Sequence, residues 1–198
     1  MNQIVLAPAD LVPAFCGETL IREESPADVL AREALLDHAF GPTRWRKTCE
    51  RLRETRAPAP GLAFSATADG ALIGTLRFWN IQTGDGRDAL LLGPIAVSAA
   101  IRSQGLGGRM IRLGLARACA LGHRAVILVG DAPYYERFGF ARAGAENLEL
   151  PGPVELARFL ALELVPGALD GAHGLIRPTG AFADAEASRH EVERPLAA

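Results

Sequence analysis

At 198 residues, 49% hydrophobic and 22% charged, the chain is long and apolar enough for one ordinary globular domain, with or without a tail, and is not a disordered polymer. A formal net charge of −2 argues against a generic nucleic-acid binder. No apolar run reaches the length of a membrane span and the first residues lack a basic-then-apolar signal, so no membrane partner and a cytoplasmic location are expected.

In chain order, residues 1–17 show no period and read as an irregular leader. Thr19 to Arg22 reads as a first strand. Ser25-Pro26-Ala27-Asp28 is a helix start, with Ser25 as cap, Pro26 in the first turn and Asp28 reaching back to the cap. This helix is expected to run to about Phe40, before Gly41-Pro42. A second helix is expected over about Thr43 to Glu54. Its Arg44, Arg46, Lys47, Arg51 and Arg53 read as a solvated basic face relieved by Glu50 and Glu54. Asp69-Gly70 joins the apolar runs 62–68 and 71–79 as a tight hairpin. Thr83-Gly84-Asp85-Gly86 turns the chain into a further strand, Leu90 to Val97. Cys16, Cys49 and Cys119 are odd in number, follow no metal pattern and read as reduced, mostly buried thiols.

The stretch from Ala89 to Gly139 carries the chemistry. Gly93-Pro94 interrupts an apolar strand, and proline removes a ladder donor, so a bulge is expected there. It would part this strand from the following parallel one and leave backbone groups of Ile95, Ala96 and Val97 facing a wedge. An extended arm rich in amides can pair there as an added strand does. The run Arg102-Ser103-Gln104-Gly105-Leu106-Gly107-Gly108 then enters a helix that continues to about Leu121. Glycines at a helix start let unpaired N–H groups approach a phosphate closely, and Arg102 adds a fixed positive fork. Neither a dinucleotide fingerprint nor a Walker loop fits: Met110 occupies the third glycine position, and no Gly-Lys-Ser/Thr follows the spacer. Phosphate at the turn and a pantetheine-like arm in the wedge describe coenzyme A.

On the helix wheel Met110, Ile111, Gly114, Leu115, Ala118 and Leu121 share one side, opposite Arg109, Arg112 and Arg117, with Leu113 the exception. The apolar run ending at Val129 reads as a central strand covered on both faces. Leu148 to Leu150 and Phe159 to Val165 read as the last strands. Residues 171–198 read as a C-terminal tail, loosely packed from about Thr179.

Val97-x-x-x-x-Arg102-x-x-Gly105-x-Gly107 resembles the acyl-CoA signature R/Q-x-x-G-x-G/A of the GNAT superfamily of N-acetyltransferases. Tyr134-Tyr135-Glu136-Arg137-Phe138-Gly139-Phe140 is similar to the superfamily's later aromatic segment. Gly130-Asp131-Ala132-Pro133-Tyr134-Tyr135 is similar to its bacterial YhbS-like branch in particular. The resemblance covers roughly Thr19 to Val165, with a domain expected over 18–170. It implies a mixed α/β (α+β) GNAT-like acyl-CoA acyltransferase fold with a splayed central strand pair. It also implies acetyl-CoA as cosubstrate without a metal, a small-molecule or peptide amine as acceptor, a substrate role for the first two helices and their connection as walls of the acceptor site, and a dimer as one option. Tyr135 matches the family's tyrosine that protonates the departing thiolate, and Tyr134 is the alternative occupant beside the CoA arm. The backbone N–H groups of Ile95 and Ala96 are the expected oxyanion donors. The general base is not legible: Asp37, His38, Asn80 and Asp88 all lie in segments that can approach the wedge. A binding module for acyl-CoA without turnover is the reading from a different class.

Overall fold

The computed structural model describes residues 18–101 and 104–183. The expected leader, Cys16, Arg102, Ser103 and residues 184–198 lie outside these. A mixed sheet runs in the order β1 (Leu20–Glu23), β2 (Ala63–Ala68), β3 (Ala71–Gln82), β4 (Asp88–Val97), β5 (Ala125–Val129) and β7 (Phe159–Glu163). A short strand, β9 (Arg177–Pro178), adds to β3 at Ile81 and Gln82. All pairs in this sheet are antiparallel except β4 with β5. A separate two-stranded pair joins β6 (Leu148–Glu149) to β8 (Gly174–Leu175). Asp69 and Gly70 both take positive φ, 50° and 77°, as the tight β2–β3 hairpin requires.

Helix α1 (Val29–Phe40) follows one 3-10 turn, Pro26–Asp28. The Asp28 carboxylate accepts from the Ser25 N–H at 2.8 Å, from the Ser65 hydroxyl at 3.0 Å and from both terminal nitrogens of Arg22. These contacts tie the helix start to β1 and β2 at once. The Arg22 hydrogen bonds, foremost, hold the Asp28 carboxyl well below the usual carboxylate range. Further along α1, buried Arg32 pairs with Glu24 and Glu33, and Arg77 of β3 also reaches Glu24. The helix is docked by charge as much as by Leu36, and Leu30 stays 71% exposed.

Four expectations are corrected. No continuous helix spans 43–54; the chain makes two 3-10 pieces, Arg44–Arg46 and Thr48–Leu52, parted by Lys47 in extended geometry. Nor is that segment a solvated basic face throughout: Arg46, Lys47 and Arg51 are exposed, but two arginines turn inward. Arg44 is buried between Glu33, Asp37 and the Trp45 ring, and the Arg53 side chain keeps only 10% exposure. Cys119 is exposed rather than buried, while Cys49 is largely covered, which pushes its thiol pKa up. The segment beyond Gly171 is docked as far as Ala183. Thr179 N–H donates to Asn80 O, Ala57 N–H to Ala181 O, Ala183 N–H to Thr55 O, and the Arg56 guanidinium to Gly180 O. Backbone pairing with an open strand edge supplies an anchor that a Gly/Ala/Pro composition does not reveal.

Helix α2 (Leu106–Ala120) lies on one face, burying Leu106, Met110, Ile111, Gly114 and Ala118 against Leu76, Phe78, Leu90, Val126 and Leu128. A side chain at Gly114 would meet the Phe78 ring at 2.5 Å, so the helix approaches the sheet there only because Cβ is missing. Leu113 and Leu121 are exposed. The other face carries a second core built on Trp79, Ile81, Leu91, Ile127 and Phe159.

Asp28→Asn is expected to cost about 2 kcal/mol at neutral pH, from a lost helix-start acceptor and charge-assisted hydrogen bonds. The carboxyl is depressed in the fold, so its contribution is present above its unfolded pKa and fades in acid. Wild type and variant should converge in urea-melt stability as pH falls below about 4.

Candidate active site

Opposite Gly93 and Pro94 stands a single residue of β3. Leu76 faces Ile95 and Phe78 faces Leu92, so Arg77 alone is set against the pair. This is the expected bulge, and it changes the parity of the strand. Before it Leu90 and Leu92 face α2; after it Ile95 and Val97 do. The Trp79 indole N–H donates to Gly93 O and holds the bulge from the opposite core. Beyond it β4 loses its neighbour: β4 pairs with β5 only at Leu90–Val126 and Leu91–Ile127, while β5 continues to Val129 beside β7. The central pair is splayed. Along Ile95, Ala96 and Val97, the ladder is filled on the β3 side alone.

The glycine turn sits at the mouth of this split. Gly105 takes φ 81° as the residue before α2, and the first backbone N–H to find an intrahelical acceptor is that of Arg109, on Gly105 O. The N–H groups of Leu106, Gly107 and Gly108 have no backbone acceptor among the described residues and lie at the positive end of a helix of 15 residues, where an anion is favoured. A Cβ at Gly107 would lie 3.1 Å from the Tyr134 hydroxyl, 3.6 Å from Val97 and 3.9 Å from Ile95. One point thus joins the turn, the open strand and the first tyrosine. Gln104 is exposed at the outer rim.

Helix α3 (Ala132–Glu136) carries both tyrosines past the end of β5. Their rings meet edge to face, with centroids 5.0 Å apart. Tyr134 is half-buried, with Arg137 over its ring. Tyr135 is buried against Phe140, and its ring lies so close over Gly130 that a Cβ there would come within 2.1 Å. Burial, foremost, pushes the Tyr135 phenol up to about 12.

On the opposite side of the bulge lies a pocket lined with charge. Its walls include Glu33 of α1, Arg44, Trp45, Arg53, Glu54, Thr55, Arg77, Trp79 and Pro94. Burial alone would raise Glu33, but Arg32 and Arg44 outweigh it and hold this carboxyl below its ordinary range, so Glu33 is a fixed anion rather than a base. Sequence reading missed this pocket because its arginines occur in a strongly charged run. Of the four candidates for the base, Asp37 is spent on Arg44 and Asp88 accepts from Gln82. Asn80 binds the C-terminal segment through its backbone, and His38 is exposed on α1. None of the four lines the charged pocket.

A cleft between two splayed parallel strands, glycines at a helix start and tyrosines beyond the next strand form one arrangement, and comparison with known proteins shows whose it is. The family model described as acetyltransferase (GNAT) family matches residues 30–140. The chain belongs to the GNAT acetyltransferase family. It is 34% identical to the uncharacterized N-acetyltransferase YhbS of Escherichia coli, over 79% of this chain and 94% of that one. The uncharacterized N-acetyltransferase YjhQ of the same organism is 31% identical over 59% of this chain and 66% of that one. A crystal structure of the E. coli YhbS protein in complex with CoA superposes with a TM-score of 0.70 and 31% identity, covering 83% of this chain and 91% of that one. A GNAT family acetyltransferase from Brucella melitensis in complex with acetyl-CoA gives a TM-score of 0.60 at 27% identity, covering 86% and 99%. Membership makes this chain an acyltransferase, and the splayed sheet is the fold of that family.

Gly107→Glu should abolish CoA binding in a calorimetric titration, because the side chain would fill the turn beside Tyr134 and repel phosphate. Pro94→Val should weaken CoA binding about tenfold by allowing β4 to close on β5; unchanged affinity in both would show that CoA binds elsewhere.

Proposed function

We propose that this GNAT protein moves an acetyl group from acetyl-CoA to a primary amine by direct attack. The observation that carries the reading is the junction at Gly107, where the helix start, the Ile95 and Val97 side chains of the part of β4 left unpaired by β5, and the Tyr134 hydroxyl lie within contact distance of one point. The residues present fit the cosubstrate: a Cβ would fill the space at Gly107, and the unfilled ladder beyond Leu91 suits an amide-bearing arm. The N–H groups at 106–108 would hold phosphate, with Arg102, Ser103 and Gln104 beside them. The edge at Ile95–Val97 would hold the arm. Acetyl-CoA supplies the thioester; the chain positions it, stabilises charge and manages protons.

In this reading the acceptor amine enters from the charged pocket beside Pro94. The backbone N–H groups near Ile95 and Ala96 donate to the thioester carbonyl oxygen as it gains charge. An N–C bond forms and the C–S bond breaks. The amine gives up its proton to water, and the departing thiolate takes one from the Tyr135 hydroxyl, which is refilled from solvent. A phenol raised to about 12 stays protonated at every physiological pH, so the acid is always armed. The same shift makes the proton reluctant to leave, and contact with the forming thiolate must supply the compensation. Tyr134 lines the arm.

Free-thiol release from acetyl-CoA across primary amines, polyamines, aminoglycosides and short peptides tests this. Tyr135→Phe should lower kcat by about 10²-fold or more with CoA affinity unchanged, whereas Tyr134→Phe should act mainly on CoA affinity. The wild-type rate should rise with pH as the amine, about 10.4 when unperturbed, loses its proton. No fall from phenol ionisation should appear below about pH 11, one unit under the raised phenol. An early alkaline fall, or full activity in Tyr135→Phe, would remove Tyr135 from the acid's role.

A further inference from the structure

Resting on the acetyl-transfer reading, we propose that the acceptor bears a carboxylate as well as its amine, and that Arg53 binds that carboxylate in the pocket beside the bulge. The Arg53 side chain is nine-tenths buried, with 10% exposure, and lines the pocket together with Pro94. One terminal nitrogen donates to Glu50 Oε2 at 2.8 Å, and another stands 4.0 Å from where a Cβ at Gly93 would sit. Its Nε–H is buried with no acceptor among the described residues. The neighbouring guanidiniums differ. Arg44 gives Nε to Asp37 and a terminal nitrogen to Glu33, and Arg77 gives Nε and a terminal nitrogen to Glu24. An enclosed guanidinium N–H without a partner costs free energy that an incoming anion recovers.

The surroundings favour an anion at this spot. Burial first, then repulsion from Arg53 and Arg158, lowers the Lys47 pKa, so Lys47 is a second basic group within electrostatic reach of Arg53. The adjoining wall is held in an unusual shape: Thr55, β-branched, takes φ 61°. Its carbonyl accepts from Ala183 N–H at 3.0 Å, and Arg56 lies over the Phe182 ring. The docked C-terminal segment thus fixes the residues that follow Arg53. Glu54, on the same wall and exposed, supplies negative charge for the ammonium end. Opposite charges on one wall match a zwitterion, whose carboxylate finds a donor in Arg53 and whose ammonium finds Glu54.

The test compares ω-amino acids with their amides, which have similar amines and differ in the carboxylate. Binding to the CoA complex is measured by calorimetry, and kcat/KM by thiol release. Wild type should favour the acid over the amide by about tenfold or more in both readouts. Arg53→Gln should erase the difference while CoA affinity stays, and Arg53→Lys should restore part of it. Equal binding of acid and amide, no binding of either, or a preference that survives in Arg53→Gln would overturn the proposal. The wild-type comparison decides even if the variants fail to fold. A binding preference without any thiol release would leave the carboxylate subsite standing and sink the acetyl-transfer reading. Brisk release with equal kcat/KM for acid and amide would do the reverse.

Discussion

The mismatch of two residues against one between β4 and β3 is the constraint on which the site depends. Gly93 and Pro94 stand opposite Arg77, the strand parity flips, and β4 parts from β5 after two paired positions. Were β4 to stay in register, its open edge would be filled by β5, and no ligand could use it. Were the parity unchanged, Ile95 and Val97 would turn away from α2 and Gly107 would lose its wall. The Trp79 indole, buried in the opposite core, caps the Gly93 carbonyl that the bulge exposes. A buried carbonyl without such a donor would be costly, so the distortion is held by a side chain bulky enough to be fixed itself.

The two faces of the sheet then take different tasks. The α2 face is apolar and close-packed, with Gly114 drawing the helix onto Phe78 so that its N-terminus stays rigid at the mouth of the split. The α1 face is held by ion pairs around Arg32, Arg44, Arg77 and the glutamates that meet them. Buried ion pairs contribute little net stability compared with well-packed apolar groups, and breaking one is costly. Under the proposed acetyl transfer, their presence beside the bulge would give the acceptor a wall whose charges are fixed in place before it arrives. In the proposed reaction this division would separate the demands of donor and acceptor. A nucleotide needs backbone N–H groups and an open strand, and an amine needs a charged wall of defined pattern.

How much of this was legible depended on whether the signal was local. Asp69-Gly70, the capping box at Ser25–Asp28, the Met110–Ala118 stripe and the glycine turn are read from neighbours in sequence, and the structure has them where the residues imply. Gly93-Pro94 marked the bulge because proline inside an apolar run has few other uses. The 43–54 segment misled because its helical composition is overridden at Lys47, and because Arg44 finds carboxylates on α1 that no local pattern announces. The C-terminal segment misled for the same reason: its anchors are Thr55, Ala57 and Asn80, more than a hundred residues earlier in two cases and close to that in the third. Arg53 was hidden in plain view, one arginine among several, until the fold left its buried Nε–H without an acceptor among the described residues.

The tyrosine pair shows where local reading stops and geometry begins. Both residues match an aromatic motif, and spacing alone cannot separate their tasks. The fold distinguishes their positions by giving each a different glycine. Tyr134 brings its hydroxyl to Gly107 at the helix start, whereas Tyr135 lays its ring on Gly130 at the end of β5. A side chain at either glycine would displace the tyrosine set against it. Gly130 therefore belongs to the positioning of Tyr135 as much as Gly107 belongs to the ligand turn. The site is defined by backbone made bare at two points, with an aromatic hydroxyl brought to one and an aromatic ring laid over the other.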